Sequence, residues 1–322
     1  MKALLFPGQG SQSIGMGKDL YDNFRLVRDL YDRISEEIKL DLKSIIFSGT
    51  ETDLNKTENV QVAIMITSYS LIKVLETEFG IIIPESFQYL AGHSLGQYTA
   101  LTVAKSIDVY TCSKLLRIRG LAMQQAADLI QGTMAAIIGI KNQSTVADIL
   151  TKSRKEGEIC VVANDNGGSQ IVISGHFDSI EKAMEEARNH GAKLCVKLNV
   201  AGAFHSPLMS FARQIMERSL LEGNIDFQDI KIPVIDNTTA EPIRSKEDLK
   251  ILLVNQITGQ VRWRESIEFL INNGVNTFIE IGNNKVLTGL MKKIDPTKQA
   301  ITLSTIQDID NNIDYLRWLK IK

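Results

Sequence analysis

A Gly-His-Ser-Leu-Gly pentapeptide at residues 92–96 is the feature that most constrains how this chain folds. It follows the apolar run 89–91 and precedes an apolar stretch, 97–104, that indicates a buried helix. A Gly-x-Ser-x-Gly between a strand and a helix is typical of a nucleophile elbow, a turn so tight that only glycine fits on either side of the serine. The pattern predicts that Ser94 attacks a carbonyl and carries an acyl group.

Strands and helices are predicted to alternate around this turn. By apolar spacing, the predicted elements are strands at 2–6, 87–91 and 277–281 and helices at 19–37, 62–78 and 107–129. The first strand ends in a glycine-rich turn, whose free backbone N–H groups can point at a ligand. Such alternation favours an α/β fold, here a large hydrolase-like domain with a parallel sheet covered by helices on both faces.

The pattern changes between residues 131 and 198. The predicted order there is strand 133–140, helix 145–155, strands 159–163 and 171–174, helix 179–190 and strand 192–199. This β-α-β-β-α-β order is typical of a small ferredoxin-like α+β domain. We therefore expect it to be inserted into a large catalytic domain formed by residues 1–130 and 199–322.

The composition of the chain indicates which kinds of partner and which cellular compartment to expect. The net charge of −2 gives no electrostatic reason to expect nucleic acid or an anionic membrane surface as a partner. The apolar start of the chain is too short for a signal peptide, and no run of 18 apolar residues indicates a membrane span. Three scattered cysteines, Cys112, Cys160 and Cys195, fit a reducing compartment, so a cytoplasmic protein is expected. Neither a metal-ligand cluster nor a dinucleotide motif occurs, so no cofactor and no metal site is predicted.

A serine nucleophile needs a base, and the chain has four histidines. His93 adjoins the serine, but in an elbow the preceding residue points away from the attacking face. His176 and His190 lie in polar segments typical of an exposed surface. His205 follows the predicted insert, at the junction of two domains where clefts form. His205 is therefore the predicted base.

Six short motifs occur along the chain in the order found in a known family. They are Gly-Gln-Gly-Ser-Gln at 8–12, the elbow at 92–96, Arg-Gly at 119–120, Gly-Ala-Phe-His-Ser at 202–206, Gln-Val-Arg-Trp at 260–263 and Glu-Ile-Gly at 280–282. Together they strongly resemble the malonyl-CoA:acyl-carrier-protein transacylases, a family that includes the acyltransferase domains of polyketide synthases. The likeness runs from about residue 2 to about residue 295.

The resemblance implies a catalytic dyad and an oxyanion hole. Ser94 would take the malonyl group as an ester, while His205 removes its proton and later activates the carrier-protein thiol. A backbone carbonyl, matched here by Gln256, would orient the histidine in place of a carboxylate. The backbone N–H groups of Leu95 and Gln9 would form the oxyanion hole.

The resemblance also implies how the substrate is recognised. Arg119 would grip the free carboxylate of a malonyl group through two parallel hydrogen bonds, and Gln61 would line the same pocket. Phe204 resembles the residue of malonyl-selective members, where a phenyl ring leaves little room for an α-methyl group. Asn164 and Asn166 lie in a turn that either faces the cleft and binds the thioester arm or is a plain hairpin.

Partners and rival functions follow from the same residues. The expected partners are malonyl-CoA and an acyl-carrier protein, with Arg188, Lys193 and Arg213 as candidate contacts for an acidic carrier helix, and the protein is expected to be a monomer. The alternative activity is an editing hydrolase on carrier-protein thioesters, but such hydrolases lack the carboxylate-binding arginine. A catalytically silent docking subunit is disfavoured by the intact motifs.

One departure from the family pattern matters: family members commonly have glutamate after the elbow glycine, and this chain has Gln97. The local loss of a charge leaves the dyad intact and puts the branch of the family in doubt. Together with the Ala-Phe-His signature it favours a stand-alone polyketide-type acyltransferase over a fatty-acid enzyme.

Overall fold

Two β-sheets organise the chain in the computed structural model, which describes residues 1–223 and 225–318. The strands are β1 (Lys2–Phe6), β2 (Tyr89–Gly92), β3 (Thr133–Ile138), β4 (Cys160–Asp165), β5 (Gln170–Gly175), β6 (Leu194–Lys197), β7 (Val234–Ile235), β8 (Thr277–Ile281) and β9 (Gln299–Leu303). The helices are α1 (Lys18–Asn23), α2 (Arg25–Ile38), α3 (Glu51–Asn55), α4 (Thr57–Thr77), α5 (Ile83–Ser86), α6 (Leu95–Val103), α7 (Val109–Leu129), α8 (Gln143–Ser153), α9 (Phe177–Asn189), α10 (Ser210–Glu217), α11 (Lys246–Gln256), α12 (Trp263–Asn272), α13 (Val286–Ile294) and α14 (Ile306–Trp318).

The first sheet is parallel throughout, with strand order β7-β2-β1-β8-β9. Its side chains alternate between two cores. Leu4 and Phe6 of β1 face one core, to which α4, α6 and α7 contribute, while Ala3 and Leu5 face a second core with α12 and α13. The predicted α/β class with a parallel sheet is therefore confirmed. The carboxyl ends of its strands form the edge where open α/β sheets bind ligands.

The second sheet is antiparallel, with order β4-β5-β3-β6, and lies within residues 133–197. Helices α8 and α9 pack on one face and share a separate small core with it. The order matches a ferredoxin-like arrangement. Backbone bonds between Asp165 and Val261 (3.0 Å) and between Val261 and Ala163 (2.8 Å) join its edge strand β4 to the chain that forms the first sheet.

Helix α4 is buried although its composition is that of a membrane span. It is long and apolar enough to cross a bilayer, yet 78% of its most apolar window lies inside the protein. A core helix of this kind meets the same criteria as a span.

The predicted helix 19–37 is wrong in one respect, because the chain breaks at Phe24 into α1 and α2. Phe24 adopts an extended conformation, with φ −119° and ψ 120°. The apolar spacing continues across the break because Leu20 and Val27 pack into the same core from two separate helices. Spacing alone therefore does not show the change of direction.

Candidate active site

Ser94 lies in a strained turn between β2 and α6. Its φ of 53° and ψ of −110° are sparsely populated for a residue with a side chain. A Cβ on Gly92 would lie 2.0 Å from the backbone of Gly96, and one on Gly96 would lie 2.1 Å from the carbonyl oxygen of Phe6. Both glycines are therefore required for the turn, as the sequence pattern predicts for an elbow.

His205 bonds to this serine. The Ser94 Oγ lies 2.8 Å from Nε2 of His205. The other ring nitrogen, Nδ1, lies 2.9 Å from the carbonyl oxygen of Gln256 and 3.1 Å from that of Gly259. Because carbonyl oxygens only accept, Nδ1 carries the hydrogen and Nε2 is left to accept from the serine hydroxyl. The second carbonyl, from Gly259, is absent from the sequence predictions.

The surroundings of His205 favour its neutral form. The ring is buried, and burial together with the nearby charge of Arg119 and the proximity of His93 lowers its pKa to about 3. The hydrogen bonds to the two carbonyls oppose this shift without reversing it. A neutral imidazole beside a serine hydroxyl can act as a general base.

Arg119 is a fully buried cation whose side-chain partners are neutral. It is 1% exposed on α7 and donates from Nη1 to Oε1 of Gln61 at 2.7 Å. Its Nη2 donates to Ser94 Oγ at 2.9 Å and to Oε1 of Gln256 at 3.1 Å. Within residues 1–223 and 225–318 no carboxylate pairs with it and its Nε has no hydrogen-bond partner. Burial accordingly lowers the pKa of this guanidinium, which leaves a site suited to an incoming anion.

A cavity of about 360 Å³ opens over the dyad. Seven of the predicted residues line it, namely Gln9, Ser94, Leu95, Arg119, Asn164, Phe204 and His205. Met123, Met134, Leu198 and Val200 add an apolar wall. Gln61 and Gln256 lie behind Arg119 and bond to it. The oxyanion role of the Gln9 and Leu95 backbone N–H groups remains a prediction.

Asn166 contacts the cavity through His93, a lining residue that is not among the predicted site residues. Its Oδ1 lies 3.0 Å from His93 Nε2, and the His93 ring lies 5.5 Å from that of Trp263. Burial lowers the pKa of His93. The segment is also a hairpin turn, since the N–H of Asn166 bonds to the carbonyl of Gln170 at 3.1 Å. The two readings of this turn are therefore compatible.

A buried polar network beneath the elbow is also missing from the sequence predictions. It joins Gln97 to Asp236 and Asn237, which follow β7, and Asn237 bonds to the backbone of Ser94 at 2.8 Å. The sequence Asp-Asn-Thr-Thr at 236–239 has the composition of an ordinary turn. The segment stands out only by its place at the carboxyl end of β7, a strand that is not among those predicted from the sequence.

The candidate basic contacts differ in their surroundings. Arg188 and Lys193 are exposed. Arg213 is half-buried and bonds to Glu217 and Asn255. His176, which the sequence predicts to be exposed, is half-buried, and its Nδ1 accepts from the N–H of Ile159 at 2.9 Å. Arg117, which bonds to Asn59, and Cys195 are also half-buried.

The sequence and the fold of this chain are similar to those of known acyl transferases. The family model described as "Acyl transferase domain" matches residues 3–311. The chain is 39% identical over 315 residues to a malonyl CoA-acyl carrier protein transacylase of Bacillus subtilis (strain 168), covering 98% of this chain and 97% of that one. It superposes on the acyl-carrier-protein S-malonyltransferase of Bartonella henselae with a TM-score of 0.93, 41% identity and coverage of 98% and 99%. A malonyl-transacylase solved with its type II polyketide acyl-carrier protein gives 0.91, 33% and coverage of 98% and 99%.

Proposed function

The chain belongs to the acyl transferase domain family, and we propose that it is an acyl-carrier-protein S-malonyltransferase. Relatives of that name, similar over nearly the whole chain, support the proposal. The observation that carries it is the buried guanidinium of Arg119, which bonds to Ser94 Oγ and has only neutral partners among the described side chains. An acyl group that ends in a carboxylate would supply the missing anion beside the nucleophile.

In the first half-reaction, Ser94 attacks the thioester carbonyl of malonyl-CoA. Its proton passes to Nε2 of His205, and the tetrahedral oxyanion faces the predicted N–H donors of Leu95 and Gln9. Collapse of this intermediate breaks the C–S bond, and the imidazolium returns the proton to the coenzyme A thiolate. The product is a malonyl ester on Ser94.

The second half-reaction runs the same steps in reverse with a new thiol. The phosphopantetheine thiol of the carrier protein gives its proton to His205 and attacks the ester. The C–O bond then breaks, and Ser94 recovers its proton. The carbonyls of Gln256 and Gly259 keep Nδ1 protonated throughout, so one tautomer serves both halves.

The scheme needs no resident cofactor or metal, since every proton transfer in both half-reactions uses His205. We place the enzyme in the cytoplasm, which the three unpaired cysteines support. The product, a malonyl thioester on a carrier protein, is consumed by chain elongation in fatty-acid or polyketide synthesis. Comparing loading rates on one carrier protein of each kind separates the two contexts.

The test is incubation with malonyl-CoA or acetyl-CoA, followed by intact mass measurement of the enzyme and of a holo carrier protein. We expect a malonyl adduct on the enzyme, its transfer to the carrier protein, and loss of both in Ser94→Ala. Equal labelling by acetyl-CoA would contradict the substrate assignment. Rapid release of malonate to water in the presence of carrier protein would instead favour the editing hydrolase.

A further inference from the structure

Gln97 lies buried beneath the nucleophile elbow, and both ends of its carboxamide are bonded. Its Nε2 donates to Oδ2 of Asp236 at 2.9 Å. Its Oε1 accepts from the backbone N–H of Asn237 and from Nε2 of Gln256, both at 3.0 Å. Gln97 and Asp236 are both 0% exposed. A carboxylate in place of this amide could not donate to Asp236 unless it were protonated.

Asn237 connects that amide to the nucleophile. Its Oδ1 accepts from the N–H of Ser94 at 2.8 Å, and its Nδ2 donates to the carbonyl of Gly92 at 2.7 Å. These two bonds hold the backbone on both sides of the strained turn. A conformation such as that of Ser94 persists only where its surroundings over-determine it, so Asn237 contributes directly to the exposure of the hydroxyl.

Asp236 determines which end of the Gln97 carboxamide donates and which end accepts hydrogen bonds. Its Oδ1 accepts from the N–H groups of Thr238 (2.8 Å) and Thr239 (2.9 Å), and its Oδ2 faces Gln97. An ionised carboxylate only accepts hydrogen bonds, so the side of Gln97 that faces it must be the NH₂ group. The carbonyl of Gln97 then faces Asn237, as its bond requires.

We propose that Gln97 is a positioning residue for acyl transfer, whose neutral amide, oriented by the carboxylate of Asp236, holds Asn237 and thereby the backbone of Ser94. The amide at 97 and the carboxylate at 236 are complementary, because the first donates the hydrogen bond that the second accepts. The inference rests on the proposed function only for its transfer assay.

Gln97→Glu is the decisive single variant. Burial and the like charge of Asp236 raise the pKa of the introduced carboxyl, so its protonated form donates to Asp236 at low pH and is lost as the pH rises. The other charged or titratable groups that hydrogen bonds connect to the network are Arg119 and the neutral His205, which reach Gln97 only through Gln256, and Arg262, which bonds to the carbonyls of Thr238 and Thr239. None of them bonds directly to Gln97. We expect kcat to fall at least about tenfold between pH 6 and pH 8.5, with the KM for malonyl-CoA nearly unchanged.

The double variant Gln97→Glu with Asp236→Asn tests the matching. The amide introduced at 236 can donate to the carboxylate introduced at 97, which restores every bond with one buried anion, as in the wild type. We expect Asp236→Asn alone to lower kcat, and the double variant to recover most of kcat and the flat pH profile. A double variant no better than the product of the single effects would overturn the proposal, as would a wild-type kcat and pH profile in Gln97→Glu.

Gln97→Met keeps the test decisive if a charged variant fails to fold. It removes the donor and the acceptor at similar volume, so we expect a lower kcat at every pH without the new pH dependence. A wild-type kcat in this variant would refute the proposal. Thr99→Val is the matched control, because Thr99 is buried on the same helix and its hydroxyl has no partner among the described residues.

Labelling of Ser94 with a fluorophosphonate separates this inference from the proposed function, because the probe needs no malonyl group. If the wild type loads no malonyl onto a carrier protein but probe labelling falls and recovers across the variants, the proposed function fails and the inference stands. If the wild type transfers malonyl and both labelling and kcat are unchanged in Gln97→Glu and Gln97→Met, the inference fails.

Discussion

Arg119→Ala is expected to remove the preference for a substrate that carries a carboxylate. The guanidinium is 1% exposed, so solvent does not screen its interaction with a bound anion. Leaving one member of such a buried pair without its partner costs about 3–5 kcal/mol. At 1.36 kcal/mol per tenfold change, kcat/KM for malonyl-CoA falls by roughly 2.2 to 3.7 orders of magnitude.

Acetyl-CoA supplies the internal reference for this variant. The acetyl group has no carboxylate, so its rate changes only through the lost bonds of Arg119 to Ser94, Gln61 and Gln256 and through its charge effect on His205. Of these bonds, the one to Ser94 is made to a reacting atom. We expect that change to stay within about tenfold, the size of one ordinary hydrogen bond. The ratio of malonyl to acetyl kcat/KM, measured by carrier-protein loading, should therefore fall at least about tenfold.

Arg117→Ala is the matched control, because Arg117 lies two residues earlier on α7 and bonds to Asn59 rather than to the site. Thermal unfolding of both variants excludes a general loss of structure. A parallel fall in malonyl and acetyl rates, with an unchanged ratio, would refute the assignment of Arg119 to the carboxylate.

Two further predictions concern the base and the acyl pocket. Because the pKa of His205 is lowered to about 3, the transfer rate should show no histidine titration near pH 6.5, and a rate that halves there would contradict this. The pKa of His205 in the folded state lies below the unfolded value of about 6.5. The neutral ring therefore contributes its full stability above pH 6.5, and this contribution is lost as the pH falls toward 3. Urea unfolding of the wild type and of His205→Ala at pH 7, 5.5 and 4 measures this pH-dependent contribution. Phe204→Ser enlarges the pocket, and since one methyl group is worth about 1–3 kcal/mol, methylmalonyl-CoA should gain roughly 5- to 150-fold relative to malonyl-CoA in a competition assay. An unchanged ratio would exclude Phe204 as the steric filter.

The sequence predicts most of what local patterns determine. The two glycines of the elbow are required because the backbone leaves no room for a side chain at either position. The turn can therefore be predicted from five residues. The ferredoxin-like order is likewise visible because each strand and helix carries its own apolar periodicity. The residues named from the resemblance lie close to the positions that it implies: Gln61 bonds to Arg119, and the carbonyl oxygen of Gln256 lies 2.9 Å from Nδ1 of His205.

Local sequence patterns do not predict contacts between residues that are far apart along the chain. Asn237 is 143 positions from Ser94 and lies beside it only because β7 pairs with β2. His93 precedes the elbow serine and is predicted to point away from the attacking face. It nonetheless lines the cavity, and its ring bonds to Asn166, which β4 and its hairpin bring to it. Each of these positions needs the sheet topology before its role can be stated.

The topology also separates two buried charges that would otherwise cancel. The cation of Arg119 bonds to Oε1 of Gln256, whose Nε2 bonds to Oε1 of Gln97, whose Nε2 bonds to the anion of Asp236. Both amides thus point their oxygens toward the cation and their nitrogens toward the anion, which stabilises the two ions without bringing them together. Had the carboxylate of Asp236 paired directly with Arg119, it would have competed with the carboxylate of a malonyl group. Because two amides lie between them, the guanidinium of Arg119 stays free to bind the carboxylate of a substrate beside Ser94.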